Sequence, residues 1–358
     1  MKIKIDAIDT LFFKDGKPFS MGEEVWANSM FPPPPSVIYG ALRSHYFGLH
    51  PEEISKAGTS DDPTKDLALN FFGIAVDGEV MFPTPLDLLF RKDAESDENN
   101  LIKTELVEFN GVSNYAYKYH LQSEQKEKVD SVSGSYLNGN SLTEYLFRTD
   151  KGLNALPLSQ FISDEPKTGI GRSNSTRSAE DGKLFRTGMK RPSVKNESGE
   201  VKLSFVVDFS GLDLPADGIM KLGGEGKAAT YATFDGYKLP ELPPSIAAHD
   251  ATEAELKLYF VSHSIFETGS KLPDELIAAL GGTVEVKASA TGRAVNIGGF
   301  DLKHNKPKQM KKAIPAGSVY FLKITNPDFN KIKSLHGSNL SAAEFAKQGF
   351  GTVLVGVV

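Results

Sequence analysis

The residues in this chain best suited to chemistry are cations gathered into two islands. Between positions 166 and 192, PKTGIGRSNSTRSAEDGKLFRTGMKRP, the residues Lys167, Arg172, Arg177, Lys183, Arg186, Lys190 and Arg191 recur with almost no apolar face between them. From Glu165 to Lys195 eight Lys/Arg stand against three Asp/Glu, a net of +5 in a chain whose formal net charge is -6. The second island, Asp301 to Lys333, has eight lysines against two acidic residues, with Lys306, Lys308, Lys311 and Lys312 close together. That leaves about -17 on the remainder. Cations segregated on an acidic protein point to a directed anionic partner, and two such islands suggest a track for RNA phosphates. Two plainer readings stay open: an edge hairpin kept soluble by its charges, and a solvated lysine loop.

Glycines offer a second kind of chemistry. Gly223, Gly224 and Gly226 precede Lys227 just after a strand, so another backbone can approach closely and turn N–H groups can cradle phosphate oxygens. The stretch is not a Walker A loop, because Lys221 and Ala228 stand where that motif needs a glycine and a hydroxyl. Gly298-Gly299 before Phe300, and Gly349 and Gly351 around Phe350, add two more permissive turns. A glycine at a strand end is by itself only a turn signal.

Acid-base chemistry has one candidate, His45, with Tyr46 beside it and Arg43 nearby. A helix over this segment lays Ile38, Ala41, Leu42, His45 and Tyr46 on one apolar face and turns Arg43 to the other. His45 therefore reads as a packed, hydrogen-bonded histidine. The other histidines, His50, His120, His249, His263, His304 and His336, show no metal-ligand spacing, and no clustered carboxylates suggest two-metal chemistry. No catalytic residue, metal or cofactor is expected.

The elements that must position these groups follow from periodicity. Ile3, Ile5, Ala7 and Leu11 give a first strand with one buried face, and LFFKDGKPFS turns at Asp15-Gly16. FPPPPSVIYGALRSHYFG starts a helix with Ser36 as the expected N-cap. Phe71–Val76 and Glu79–Phe82 form a hairpin through Asp77-Gly78. Residues 90 to 160 are polar and predict an insertion of loops with one short helix near Ser141–Phe147. The cationic stretch reads as a projecting hairpin over about 166–192, turning at Asp181-Gly182. VKLSFVVDFS then closes a first βαββαβ unit, and KLPELPPSIAAHDATEAE marks the boundary between domains 1–238 and 239–358. The second half repeats the order: a strand over Leu256–Phe266, a helix over Pro273–Leu280, two strands in TVEVKASATGRAVNIGGF and AIPAGSVYFLKI, a helix in SAAEFAKQ and a strand in GTVLVGVV. The fold class is α+β, two tandem ferredoxin-like domains.

Composition is globular, 40% apolar and 24% charged over 358 residues. The absence of cysteine excludes disulfides and thiolate chemistry and fits a reducing compartment. MKIKIDAIDTLFF alternates where a signal peptide would be basic and then apolar, and no stretch has the ~20 apolar residues of a spanning helix. A soluble, cytoplasmic protein with no membrane contact is expected, in which the triplet Asn174-Ser175-Thr176 carries no glycosylation signal.

Taken in order, FPPPPSVIYGALRS, TGIGRSNSTRSAEDGKLF, LGGEGKA, GGFD, IPAGSVYF and GFGTVLVG resemble the RAMP-superfamily Cmr subunit of type III-B CRISPR effector complexes, the Cas5-like member that caps the 5′ end of the guide RNA. The resemblance covers nearly the whole chain apart from 90–160. It implies two RRM-like domains and a non-catalytic role: binding the repeat-derived 5′ tag of the CRISPR RNA, docking the large polymerase-like Cmr subunit, and abutting the adjacent backbone RAMP subunit, with target RNA met only indirectly. It makes the 166–192 arm a thumb hairpin and LGGEGK and GFG the loops against which the tag lies. Single-stranded RNA held in a fixed shape needs cations, close backbone approach and side chains against bases. The resemblance and these needs together nominate Arg43, Lys167, Arg172, Arg177, Arg186, Lys190, Lys227, Lys306, Lys308 and Lys311 for phosphates. Gly223, Gly224, Gly226, Gly298, Gly299, Gly349 and Gly351 are nominated for close approach, and Met189, Phe185 or Phe350 for bases. Three alternatives stand beside this: a metal-independent RAMP endoribonuclease using His45, the equivalent type III-A capping subunit, and a scaffold whose arm meets an acidic protein.

Overall fold

Alternating Lys and Ile make β1 (Lys2–Ala7) a strand with Ile3 and Ile5 wholly inside. The structure, a computed structural model, describes the chain apart from residues 16–25, 92–99, 113–114, 124–127, 148–151, 198, 244–251 and 302–303. Gly16 of the first expected turn and much of the expected boundary passage lie outside the described residues. After β2 (Trp26–Ala27) comes helix α1 (Pro35–Leu49). Its N-cap is Pro34 with Pro35 at the first helical position, and Ser36 sits inside the helix without capping it. The proline run reaches the helix directly, because a fixed φ near -65° suits the first turn. β3 (Ala68–Val76) and β4 (Glu79–Pro83) pair through Asp77 (φ 48) and Gly78 (φ 89), the left-handed pair of a tight hairpin.

Residues 90–160 hold more structure than loops and one helix. The strands β5 (Leu88–Arg91), β6 (Leu101–Lys103), β7 (Glu105–Glu108), β8 (Tyr119–Gln122), β9 (Val129–Ser131) and β10 (Ser135–Asn138) lead to α2 (Gly139–Phe147) and β11 (Ala155–Pro157). β12 (Ser163–Arg172), β13 (Ala179–Arg191), β14 (Ser193–Asn196), β15 (Gly199–Ser210), β16 (Asp217–Lys221) and β17 (Ala228–Thr233) complete the first half. The main sheet runs β11-β10-β4-β3-β15-β1-β17-β16, with β14 also on β15. VKLSFVVDFS is thus not a closing strand. It lies as β15 between β1 and β3, antiparallel to both, and β17 takes the other side of β1. β15 is apolar on both faces, as a central strand must be: Phe205 and Val207 face α1, and Val206 faces the second half.

In the second half β18 (Glu253–Phe260), β19 (Thr283–Ala290), β24 (Val319–Thr325) and β25 (Val353–Val357) form an antiparallel sheet in the order β19-β24-β18-β25. Between β19 and β24 lie the short strands β20 (Val295–Ile297), β21 (Phe300–Asp301), β22 (Lys306–Pro307) and β23 (Lys311–Ala313). β18 stops at Phe260, short of the expected Phe266. The helix that packs before the last strand is Phe329–Leu335, with Ile332 and Leu335 buried, while SAAEFAKQ forms only the turn of helix Ala343–Ala346.

The layers follow from the period of two. Ile38 and Leu42 of α1 pack on Ile3, Ile5 and Phe205. Phe71 and Val206, on the opposite face, meet Tyr145 of α2 and Tyr259, Phe321 and Leu354 of the second sheet. The far face of that sheet, with Leu256 and Leu258, carries Leu276 of helix Asp274–Ala279 and Ile332 of helix Phe329–Leu335. The result is a strand-rich α+β protein with few helices, and no helix among the described residues is long and apolar enough to cross a membrane.

Candidate nucleic-acid interface

β12 and β13 pair antiparallel from Ser163↔Arg191 to Ile170↔Leu184, and beyond a register shift at Arg172↔Ala179. The turn of this long hairpin is therefore at Ser173–Ser178, and Asp181-Gly182 is not the turn but part of the bulge on β13. The misassignment has a physical cause: turn and bulge both draw on the left-handed conformation, which Gly182 adopts at φ 75. Arg177 (φ 56) takes the left-handed place in the tip, and Arg172 Nε and Nη2 donate to its carbonyl at 3.1 and 2.7 Å. Lower down, the Phe185 ring lies over Gly169 so closely that a Cβ there would stand 2.3 Å from its Cζ. Phe185 is therefore held against the ribbon.

The base of the hairpin is electrically neutralised. Lys190 pairs with Asp164, Arg191 Nε with Glu165 at 2.6 Å, and Lys167 with Glu225 of the glycine loop at 3.5 Å. Asp9 binds two cations, Lys227 at 2.7 Å and Arg191 at 3.0 Å. The Lys227 hydrogen bond is the main cause that lowers the Asp9 carboxyl to about 2. A depressed folded-state value contributes stability above the ordinary carboxylate range, and that stability is lost as pH falls from about 4 through about 2. Asp9 is half exposed, so Asp9→Asn is expected to cost no more than about 1 kcal/mol in thermal unfolding. The same change releases Lys227 while Arg191 keeps Glu165, so titration with single-stranded RNA should show slightly tighter binding, not weaker. In contrast, Arg172, Arg177 and Arg186 have no acidic partner among the described residues, and the same is true of Lys306, Lys308, Lys311 and Lys312.

The glycine loop between β16 and β17 is used internally. Gly224 N–H donates to Phe12 O at 2.8 Å, and a Cβ on Gly223 (φ 80) would stand 2.6 Å from the same oxygen. The close approach it permits is to the chain's own Phe12, which with Ala27 and Met189 forms a small core under the hairpin. Met189 is 1% exposed and presents nothing to a base. Gly226 (φ 65) has open space around its Cα.

The GFG turn is likewise a joint. Phe350 is fully buried among Ile265, Ile297 and Ala313, so it cannot stack on RNA. A Cβ on Gly349 would touch Leu69 and Pro35 of the first half at 3.0 and 3.2 Å, and one on Gly351 would overlap Leu340 O at 2.2 Å. Around the second island, Gly299 O accepts from Lys308 N at 2.9 Å and β20 pairs with β23 at Ile297↔Lys311. Gly298 lies between β20 and β21 in the same connection. Lys306 and Lys308 are exposed on this hairpin and Lys311 is half-buried.

One segment links the islands. Trp26 and Ala27 pair with Arg186 and Thr187 of the arm, Met30 packs on the β20–β23 cluster, and Phe31, Pro32, Pro33 and Pro35 help wall a cavity of about 280 Å³ between the halves. Gly73, Tyr136, His263 and Pro315 also line it. Burial pushes His263 down to about 4, and its Nδ1 accepts from Ala316 N at 3.0 Å, so the ring is neutral with its proton on Nε2. Sequence reasoning missed both this cavity and Trp26. The signal for Trp26 was its being the only tryptophan.

Arg43 does not join this face as a free cation. It pairs with buried Asp62 at 2.5 Å and donates to Thr64 at 2.7 Å, locking α1 to the loop that follows it. His45 Nε2 lies 3.0 Å from the Tyr231 hydroxyl, edge-on to its ring, and burial lowers its pKa. The helical register predicts a packed, hydrogen-bonded histidine; the hydrogen bond is present and the ring is half-buried.

The family model described as CRISPR-associated protein (Cas_Cmr3) matches residues 3–358. The chain belongs to the Cmr3 family. Among curated proteins none matches it. The Cmr3-family chain is similar in fold to a chain of the type III-B Cmr-β complex bound to cognate target RNA and AMPPnP, at 17% identity, 99% coverage of this chain, 96% of that one and a TM-score of 0.53. A chain of the type III-B Cmr-β complex bound to cognate target RNA gives 19% identity, 90% and 86% coverage and a TM-score of 0.49. A chain of the Csm3–Csm4 subcomplex of the type III-A interference complex gives 11% identity, 92% and 98% coverage and a TM-score of 0.32.

Proposed function

We propose that this Cmr3-family chain is a non-catalytic RNA-binding subunit of a type III-B CRISPR effector complex. In this reading it holds the repeat-derived 5′ tag of the CRISPR RNA and docks the large polymerase-like subunit and the adjacent backbone subunit. Family membership supports the complex. The observation that carries the RNA role is the partition of cations: those at the base of the arm are paired within the chain, while Arg172, Arg177 and Arg186 above, and Lys306, Lys308, Lys311 and Lys312 on the other hairpin, have no acidic partner among the described residues. Unpaired cations bind phosphate without first breaking an internal ion pair. The cavity between the halves is walled mainly by apolar and small polar residues and has room for a base.

The two sheets support two ferredoxin-like domains over about 1–238 and 239–358, since β3-β15-β1-β17 and β19-β24-β18-β25 repeat one antiparallel order. Photo-crosslinking from thiouridine placed along the tag tests the site. Adducts are expected on β12–β13 and on Val295–Ala313, and adducts confined to residues 100–157 would overturn it. His45 supports the non-catalytic part, because a ring held by Tyr231 in a packed site is poorly placed to shuttle protons. His45→Ala is expected to leave the guide's length and ends unaltered in RNA sequencing of the complex, and unprocessed precursor would restore the nuclease reading.

A further inference from the structure

We infer that Trp26 is a base-stacking platform, a positioning residue for one nucleobase of the bound single strand; this rests on the RNA-binding reading above. Trp26 pairs in parallel register with Arg186 of the arm, and the Arg186 guanidinium carbon stands 5.9 Å from the indole ring centre. Cross-strand pairing sets Thr168 opposite Arg186 and Ile170 opposite Leu184. Side chains directly opposite in a ladder share a face, so one face of the ribbon carries Trp26, Arg186 and Thr168 in a row, with Leu184 and Ile170 in the next. Phe185 lies on the other face, folded over Gly169.

Trp26 is 42% exposed, and Ile170 and Leu184 are 52% and 43% exposed. Ala27, the next residue on the strand, points to the opposite side and is buried, so Trp26 stands on the outward face. At Gly188 the arm brings bare backbone to the indole edge, where a Cβ would lie 3.6 Å from Nε1. An indole with a guanidinium over one face and its other face open to a base is the combination that holds a base by stacking and its phosphate by charge, and it is tolerant of base identity.

The chain has one tryptophan among eleven tyrosines, so fluorescence excited at the red edge of the band, where indole alone absorbs, reports this site. Titrating the full chain with oligo(rA), and with an abasic ribose-phosphate strand of equal length and charge, is expected to quench that fluorescence with oligo(rA) only. Trp26→Ala should weaken oligo(rA) binding about ten- to a hundredfold without changing its salt dependence, while Trp26→Phe retains most of it. Binding of oligo(rA), measured by anisotropy of a labelled strand, with no quenching or with equal loss on the abasic strand, would overturn the platform and leave the RNA-binding reading standing. Failure of the wild-type chain to bind any of these strands would overturn both. The quenching measurement uses the wild-type chain and so does not depend on the variants folding.

Discussion

Reversing Arg172, Arg177 and Arg186 together to glutamate is expected to weaken guide RNA binding by about a hundredfold or more at low salt. Each charge-assisted contact to a phosphate contributes about 1.5–3 kcal/mol, and three are replaced by repulsion. The slope of log affinity against log salt should also flatten by about 2, at ~0.7 per released counterion on a single strand. Filter binding over a range of salt concentrations checks both. The control is Lys190→Gln at the base of the same hairpin. Its charge is already met by Asp164, so affinity and slope should barely change. Equal effects from the paired and unpaired cations would mean that the partition does not govern binding.

Phe350→Ala is expected to behave as a core deletion. The ring is fully buried and meets Phe345 edge-on at 5.8 Å, so its loss should cost about 3–5 kcal/mol and lower the melting temperature by about ten degrees. RNA affinity of the protein that remains folded should stay within about twofold. Phe350→Leu keeps most of the volume and should recover most of the stability. A normal melting curve with lost RNA affinity would put the ring on the RNA.

These two cases mark where the sequence was legible. Cations at Arg172, Arg177 and Arg186 could be read as exposed because charged and polar residues outnumber the few apolar ones around them, leaving no continuous apolar face to bury. Phe350 could not be placed, because glycines on both sides equally fit an open RNA loop and a tight joint between halves. Periodicity was sufficient for β1, α1 and the Asp77-Gly78 hairpin, each specified by its own residues. It failed for the position of β15, since an all-apolar strand says that both faces are covered but not which strands flank it. The helix Phe329–Leu335 went unseen because its lysines read as part of a cationic island. Its signal was present: Asp328 caps it by accepting from the N–H groups of Asn330 and Lys331. Asp181-Gly182 failed for a related reason, since a dipeptide that permits a left-handed residue suits a bulge as well as a turn. Ion pairing was beyond the sequence altogether. Asp9 lies over 180 positions from Arg191 and over 210 from Lys227, and only the fold brings the three together.

The central claim is that this chain holds the tag of a guide RNA without cutting it. The most direct test is to purify it together with the large subunit that it is proposed to dock and measure binding of RNA with and without the repeat-derived 5′ tag at two salt concentrations, following strand length throughout. Tag-dependent binding that weakens with salt and leaves the RNA intact is the predicted result. Tag-independent binding, or cleavage that His45→Ala abolishes, would contradict it.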